Sequence, residues 1–432
     1  MSYSPALAGY SAAVQLLAPF AGLWLNDRAR KGKEDRARLP ERFGRYVQAR
    51  PAGRLVWFHA ASVGESGVAL SLIKAMAERD NALSFVISTG TRTSAELVAR
   101  RALPRVTHVY VPLDSAGAVR RFLDHWHPDL GVFVESELWP NLILAAEARR
   151  IPLALVNARM SPKSLARWQR WRKAGARLLK AFALVAAADA RTADALSDVR
   201  GGDVAMLGNL KLAAPAPRVD AGARAALTEQ IGGRPVWLAA STHAGEDEIM
   251  LAAHAKLRAA EPEALLIIAP RHPERGEAIA MLADAAPRRS RFEAINGASV
   301  YVADTLGELG LFYALAPVSL VAGSLLPHLK GHNPIEPAKL NSAILTGPHV
   351  ESFQDVFSTI QAVGGAQVTL DAESIAKAVL TLWRDEAART RQVEAARAAT
   401  AQGAGALDTT VQRLLELAPK QPAQTNTAHA SA

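Results

Sequence analysis

Short apolar runs alternate with helical patterns along nearly the whole chain. In the first half the runs predict strands at Leu55–His59, Leu83–Thr89, Thr107–Val111, Asp129–Val134, Leu153–Asn157, Leu184–Ala187 and Val204–Leu207. In the second half they predict strands at Val236–Ala240, Ala264–Ala269, Ser299–Val302, Val318–Val321, Ala343–Leu345 and Gln367–Leu370. Between them, helical windows fall at Ser66–Arg79, Ser94–Arg101, Leu138–Arg149, Glu246–Ala260 and Leu306–Leu315. Such alternation indicates an α/β fold, in which parallel strands are joined by right-handed crossovers. Nearly continuous apolar strands mean sheets covered on both faces. A break at Leu212–Arg234, where Pro215, Pro217 and Gly222 precede Gly232 and Gly233, divides the chain. Each side is long enough for a doubly wound parallel-sheet domain. Two such domains facing each other would place a ligand cleft at the carboxyl ends of their strands.

One apolar stretch does not fit the alternation. Residues 1–26 hold no Asp, Glu, Lys, Arg or His, and Pro5–Leu25 is largely Ala, Leu, Gly and aromatic. Roughly 20 apolar residues suffice to cross the hydrocarbon core of a bilayer as a helix. Gly9, Ser11, Gln15, Pro19 and Gly22 interrupt this run, so shallow insertion competes with a full span. A buried N-terminal helix is the third reading. The positive charges follow the apolar run instead of preceding it, which argues against a cleaved signal peptide.

Charge sharpens this picture. From Asp27 to Arg54, ten basic residues face four acidic ones, a net +6. Basic residues directly after an apolar segment stay cytoplasmic and attract anionic headgroups. A second cluster, Arg159–Lys180, contains Arg159, Lys163, Arg167, Arg170, Arg172, Lys173, Arg177 and Lys180 with no acid, a net +8. Read as one helix from about Pro162, it puts Lys163, Arg167, Arg170, Lys173, Arg177 and Lys180 on one face. Leu165, Trp168, Trp171, Leu178, Leu179 and Phe182 fall on the other. An unmixed positive face suits a phosphate or a lipid surface. The 432-residue chain nets +9, so these two clusters leave the remainder at −5. A nucleic-acid binder has no use for an apolar anchor beside its basic patch. The expected partners are therefore an anionic membrane surface and a phosphorylated lipid, and not nucleic acid. The absence of cysteine excludes a disulfide scaffold, a thiolate zinc site, an iron–sulfur cluster and a cysteine nucleophile.

The sequence has no P-loop, full dinucleotide fingerprint, zincin helix or nucleophile elbow. Candidate chemistry lies at strand ends instead. VWFHAASVGES (56–66) runs from a strand through a small-residue turn to Glu65 at the opening of a helix. A carboxylate there caps the helix dipole, or serves as a general base where open-sheet sites form. Gly64 would allow a substrate close to the backbone. VFVESELWPNL (132–142) sets Glu135 and Glu137 just past another strand, and GNLK (208–211) sets Lys211 after the last strand of the first half.

The second half supplies phosphate-binding groups. STHAGEDE (241–248), beginning with Ser241 and Thr242, has the form of an anion-binding turn. PRHPER (270–275) offers Arg271, His272 and Arg275 to clasp a phosphate. LGELGLFY (306–313) and GHNPIEPA (331–338) each lead into a helix, with Glu336 placed to bond paired hydroxyls such as a ribose diol.

HAASVGES, ESELWPN, GNLK, STHAGEDE, PRHPER and HNPIEPA, in this order behind an apolar N-terminus, resemble the 3-deoxy-D-manno-octulosonic acid (Kdo) transferases of lipopolysaccharide synthesis. The resemblance covers about residues 5–400. It implies the two-domain GT-B fold: a membrane anchor over 1–26, an acceptor-binding domain over 27–212 and a CMP-sugar donor domain over 213–418. Residues from 419 read as a disordered tail. It also implies inverting transfer of Kdo from CMP-Kdo to a glucosamine hydroxyl of the tetraacyl lipid A precursor, at the cytoplasmic face of the inner membrane and without a metal. On this resemblance Glu65 is the general base, and Glu135 and Lys211 stabilise the transition state. Pro270, Arg271, Gly307, Glu308, Leu309, Asn333, Pro334, Ile335 and Glu336 match the CMP site, with Ser241 and Thr242 beside it. Arg159, Lys163, Arg167 and Arg170 are the candidates for the acceptor's phosphates. Lys330 stands where a second glycine is usual, and Leu212-Ala213 replaces an aromatic–acid pair. Two rival readings are a GT-B enzyme that transfers a UDP-activated sugar to a lipid, and a non-catalytic membrane-bound nucleotide or lipid binder.

Overall fold

The computed structural model describes residues 4–160 and 162–419, except for the side chains of Pro162, Lys163 and Arg167. All thirteen expected strands form, within a residue or two of their expected ends. They are β1 (Leu55–His59), β2 (Ser84–Thr89), β3 (Val106–Tyr110), β4 (Leu130–Val134), β5 (Leu153–Ala158), β6 (Leu184–Ala187) and β7 (Ala205–Met206). The second half adds β8 (Val236–Thr242), β9 (Leu265–Pro270), β10 (Val300–Val302), β11 (Val318–Val321), β12 (Ala343–Thr346) and β13 (Ala366–Val368).

The first sheet has the order β3-β2-β1-β4-β5-β6-β7 and the second β10-β9-β8-β11-β12-β13. Every strand pairing is parallel. Both sheets are doubly wound, and strand order reverses between β1 and β4 in one and between β8 and β11 in the other. Ligands of open α/β sheets bind at the carboxyl ends of strands flanking such a reversal. HAASVGES follows β1, ESELWP follows β4 and STHAGEDE follows β8. The fold therefore delivers these segments to the two switch points.

The apolar runs are continuous because each sheet is covered on both faces. In β1, Val56 and Phe58 join one core while Leu55 and Trp57 join the other. In β8, Trp237 and Ala239 face one layer and Val236, Leu238 and Ala240 the opposite one. Gly131 in β4 is dictated by this packing. A Cβ there would lie 2.7 Å from Leu153 Cδ2 and 3.1 Å from Trp57 Cε3.

Two compact units result. One comprises residues up to Ala214 together with the chain from Gly403, and the other is Pro215–Gln402. Gly403 lies in the helix Glu386–Leu417. A Cβ on it would come within 2.3 Å of the Leu212 backbone, so the segment from Gly403 docks on the first unit. The expected second domain, 213–418, runs past this return, because no composition break marks it. The tail expected from 419 onward lies outside the described residues apart from Pro419.

The N-terminal apolar run is helical over Pro5–Leu17 and Ala21–Arg30, with a 3₁₀ turn at Ala18–Phe20. Pro19 lacks the amide that an unbroken α-helix needs, so the backbone tightens there. Leu16, Leu17, Phe20, Leu23 and Trp24 are exposed, and Leu25 is its only buried apolar side chain among the described residues. The buried-helix reading does not hold. Pro5–Arg30 is long and apolar enough to cross a membrane, yet its first part is tied to the body. Tyr10 Oη donates to Asp114 Oδ2 at 3.0 Å, and Ser11 Oγ bonds the Asn141 side chain.

The basic segment also departs from expectation. It forms two helices, Pro162–Arg170 and Arg172–Leu179, with a break at Trp171. The bend lets the Trp168 ring lie on Gly175, where a Cβ would be 2.4 Å from Trp168 Cε3.

Candidate active site

In the first unit, the end of β1 turns through Ala61 and Ser62 into the helix Val63–Arg79. Ser62 is the N-cap, and its Oγ accepts from the Glu65 amide at 3.3 Å. The Glu65 carboxylate reaches back, accepting from the Ala61 amide and from Ser62 Oγ, both at 2.8 Å. Glu65 thus ties the turn before the N-cap to the first helical turn, beside the N-cap bond of Ser62. Glu65 is only 8% exposed. Burial pushes its carboxyl up to about 7, the Ser62 and Ala61 bonds oppose the rise, and the charges of Glu135 and Glu137 add to it. Capping and basicity thus coexist in one side chain.

Glu135 leaves β4 with φ +62°, in the left-handed region that non-glycine residues seldom occupy. Its carboxylate is 2.8 Å from Lys211 Nζ, and Asn157 Nδ2 donates to the same oxygen at 3.4 Å. Lys211 sits in the 3₁₀ turn Leu210–Ala213. A Cβ added at Gly64 would be 3.8 Å from Lys211 Cε, so the lysine stem passes over the turn that precedes Glu65. The structure therefore brings Glu65, Glu135 and Lys211 together at the β1/β4 switch point. Glu137 is close as well. Burial raises its carboxyl first, the Trp139 indole, donating at 3.1 Å, lowers it, and Glu135 raises it again.

Asn157 is a residue that sequence reasoning missed. It is the penultimate residue of β5, with φ +52°, and its Oδ1 accepts from the Leu210 amide at 2.9 Å. It thereby fixes the GNLK turn to the Glu135 carboxylate. The available signal was an asparagine at a strand end, a residue type that tolerates left-handed backbone.

In the second unit, Ser241, Pro270, Arg271, Gly307 and Leu309 share one cavity of about 150 Å³, together with Thr305 and Phe312. Ser241, the penultimate residue of β8, has φ +62°. The other expected donor residues do not line that cavity. Thr242 is buried with its Oγ1 unbonded. Glu308 is held by Arg289 at 2.7 Å; this bond, with help from Thr305 and against the opposing effect of burial, keeps its carboxyl below the usual range. Asn333 bonds Glu336 at 3.3 Å, and its Oδ1 accepts from the Ile335 amide at 3.1 Å, closing a turn through Pro334.

The STHAGEDE turn contributes a buried carboxylate of its own. Glu246, fully buried, accepts from the amides of Gly323 (2.8 Å), Ser324 (3.0 Å), Leu325 (3.1 Å) and His243 (3.1 Å). Three of these amides lie in the loop after β11, so Glu246 fixes that loop to the start of its own helix. Arg275 is likewise engaged, by the buried Asp247. Arg271 is exposed and makes no ion pair among the described residues. Sequence reasoning also missed a histidine pair. His243 Nε2 and His332 Nε2 are 2.8 Å apart, and burial, followed by the nearby His243 and Arg271, pulls His332 down to about 4. Burial also lowers His243, and the two rings lie within the STHAGEDE and GHNPIEPA segments.

Within the basic cluster, Arg159 lies 3.5 Å from Asp189, Arg172 pairs with Asp198 and Arg177 with Glu147. Acids from elsewhere in the fold thus neutralise part of the +8. Arg170, Lys173 and Lys180 are exposed, with no ion pair among the described residues. The side chains of Lys163 and Arg167 lie outside those residues.

The architecture recurs in solved structures. A glycosyltransferase from Rickettsia africae superposes with TM-score 0.54 at 11% identity, covering 85% of this chain and 99% of that one. MurG from Acinetobacter baumannii gives TM-score 0.52 at 14% identity, covering 84% and 100%. These likenesses establish the GT-B fold. Residues 37–214 match the family model described as 3-deoxy-D-manno-octulosonic-acid transferase (kdotransferase). The 3-deoxy-D-manno-octulosonic acid transferase of Bordetella pertussis is 37% identical over 427 residues, 94% of this chain and 98% of the relative. That of Haemophilus influenzae is 34% identical over 405 residues, 90% and 92% of the two chains. The probable mitochondrial enzyme of Arabidopsis thaliana is 35% identical, covering 83% of each. The chain belongs to the 3-deoxy-D-manno-octulosonic acid transferase family, and it is a glycosyltransferase.

Proposed function

We propose that the protein transfers Kdo from CMP-Kdo to a glucosamine hydroxyl of the phosphorylated, tetraacyl lipid A precursor, with inversion at the ketosidic carbon. The observation that carries the reading is the Glu65 site: a nearly buried carboxylate, raised to about 7, beside an ion-paired Glu135–Lys211 at a switch point. A general base works best when its pKa lies near the operating pH.

In this mechanism Glu65 takes the proton of the acceptor hydroxyl as its oxygen attacks the ketosidic carbon of Kdo. The carbon–oxygen bond to the phosphate breaks, and CMP departs with the electron pair. Glu135 offsets positive charge developing on the sugar, while Lys211 and Arg271 offset negative charge on the departing CMP, so the step requires no metal. In the second unit, a cavity of about 150 Å³ matches the size that accommodates one six-membered ring. We assign it to the pyrimidine, with Ser241, Pro270, Gly307 and Leu309 as its walls. Thr242, Glu308 and Asn333–Glu336 act as the supporting frame for the nucleotide.

On this reading residues 1–26 anchor the enzyme, and the net +6 of Asp27–Arg54 keeps the body on the cytoplasmic face of the inner membrane against anionic lipid. The domain roles follow as acceptor binding by the first unit and donor binding by the second. The test is melting of the full chain with nucleotides, followed by product analysis. CMP should raise the melting temperature and UDP should not, and NMR of the product should show the inverted anomer. Protection by UDP alone, or retention of configuration, would contradict the reading.

A further inference from the structure

A cavity of about 860 Å³ in the first unit is not accounted for by sugar transfer itself. Its walls come from three places. The N-terminal helix contributes Leu7, Tyr10 and Ala13, and the bent basic pair of helices contributes Trp168 and Leu178. The third wall is Glu137 and Trp139, from the loop that also carries Glu135. The lining is mostly apolar, and two of its polar groups are already bonded: Tyr10 to Asp114 and the Trp139 indole to Glu137. The volume lies within the roughly 300–1,000 Å³ of ligand pockets.

We infer that this cavity holds an acyl chain of the acceptor, so that the enzyme reads its substrate as a lipid beside the reacting hydroxyl. The inference rests on the proposed lipid acceptor. Three observations select that occupant. The cavity is apolar and large, as a hydrocarbon chain requires. It opens against the Glu135–Glu137 loop, whose charges act on Glu65. The helix pair that forms one wall turns apolar residues such as Trp168, Trp171 and Leu178 to the cavity and carries Arg170 and Lys173 outside that lining, exposed and without ion pairs among the described residues, a charge that complements the acceptor's phosphates. An acyl chain seated here while phosphates meet the basic helices would hold the sugar hydroxyl in a fixed position. That is positioning by binding energy remote from the reacting bond.

The test fills the cavity. Ala13 is exposed on the helix surface, and a Cβ at Gly9 meets no atom within 4 Å, so Ala13→Trp and Gly9→Leu project into space without displacing the fold. Thermal melting confirms folding. The readout is kcat/KM for an acylated disaccharide bisphosphate divided by that for its deacylated counterpart, with CMP-Kdo as donor in phospholipid-free detergent micelles. Each methylene kept from the cavity costs about fourfold in affinity, so the ratio should fall at least tenfold in either variant, through KM. An unchanged ratio in both variants, or a wild-type enzyme indifferent to acylation, overturns the inference. A ratio that falls only when the acceptor is presented in phospholipid vesicles assigns the cavity to a bilayer lipid and also overturns it. Failure of the wild type to use either acceptor instead refutes the transfer reading, and this inference with it.

Discussion

Glu65→Gln separates the two roles of this side chain, tying down the turn at Ala61–Ser62 and holding a proton. The ordinary glutamate value of 4.5 is raised to about 7, chiefly by burial. In the folded protein the carboxyl therefore holds its proton through a range in which the unfolded chain has lost it. Stability must then fall as pH rises from about 4.5 to about 7, and stay lower above that. A rise of this size corresponds to roughly 3 kcal/mol at pH 8. Glutamine removes the charge but keeps an oxygen to accept from the Ala61 amide. The variant should therefore melt several degrees higher than wild type at pH 8, with the difference vanishing near pH 4. Its transfer rate should drop about 10²–10⁴-fold, the usual contribution of a general base. In the wild type, the acid limb of log kcat/KM against pH should bend near 7. About half of the molecules are competent at pH 7 and about a tenth at pH 6. The assays are calorimetry and initial-rate measurements across pH. An acid limb at 4–5, or a glutamine variant that is both active and no more stable at pH 8, would refute the reasoning.

Lys211→Met leaves Glu135 without its cation, so the unneutralised charge should push the Glu65 acid limb to higher pH and lower kcat; an unmoved limb in the pH–rate profile would show that the two sites do not interact. Glu246→Gln weakens the acceptor for four backbone amides and should cost the second unit roughly 2–3 kcal/mol, read as a lower urea midpoint for that unit while the first is unaltered. Lys330 adopts φ +65°, a conformation costing roughly 1–2 kcal/mol for a residue with a side chain. Lys330→Gly should give a net gain of roughly 0.5–1 kcal/mol after the entropy of glycine is counted, and a lower melting temperature would contradict that account.

Strand positions were readable because every strand is buried on both faces, so apolar runs stand out without any alternation. The motif segments were equally plain, since β1, β4 and β8 lead directly into them. What escaped were features set by tertiary contact. The bend at Trp171 depends on Trp168 meeting Gly175 across a turn, which helical periodicity does not encode. The return of the chain at Gly403 depends on a close approach to Leu212, which composition does not mark. Glu246 looked like part of a phosphate-binding turn because its own helix has that form. Its partners at Gly323–Leu325 lie about eighty residues away in sequence, after β11. Lys330 is the reverse case: its backbone, at φ +65°, takes a conformation that glycine adopts without cost, and only the structure shows it.

The most direct measurement is mass analysis of the lipid product after the intact chain is incubated with CMP-Kdo and a tetraacyl disaccharide bisphosphate. The account predicts an acceptor heavier by a whole number of Kdo units, with stoichiometric release of CMP and almost none of either in Glu65→Gln. An unmodified acceptor with CMP-Kdo, joined by glycosylation from a UDP-sugar, would contradict it.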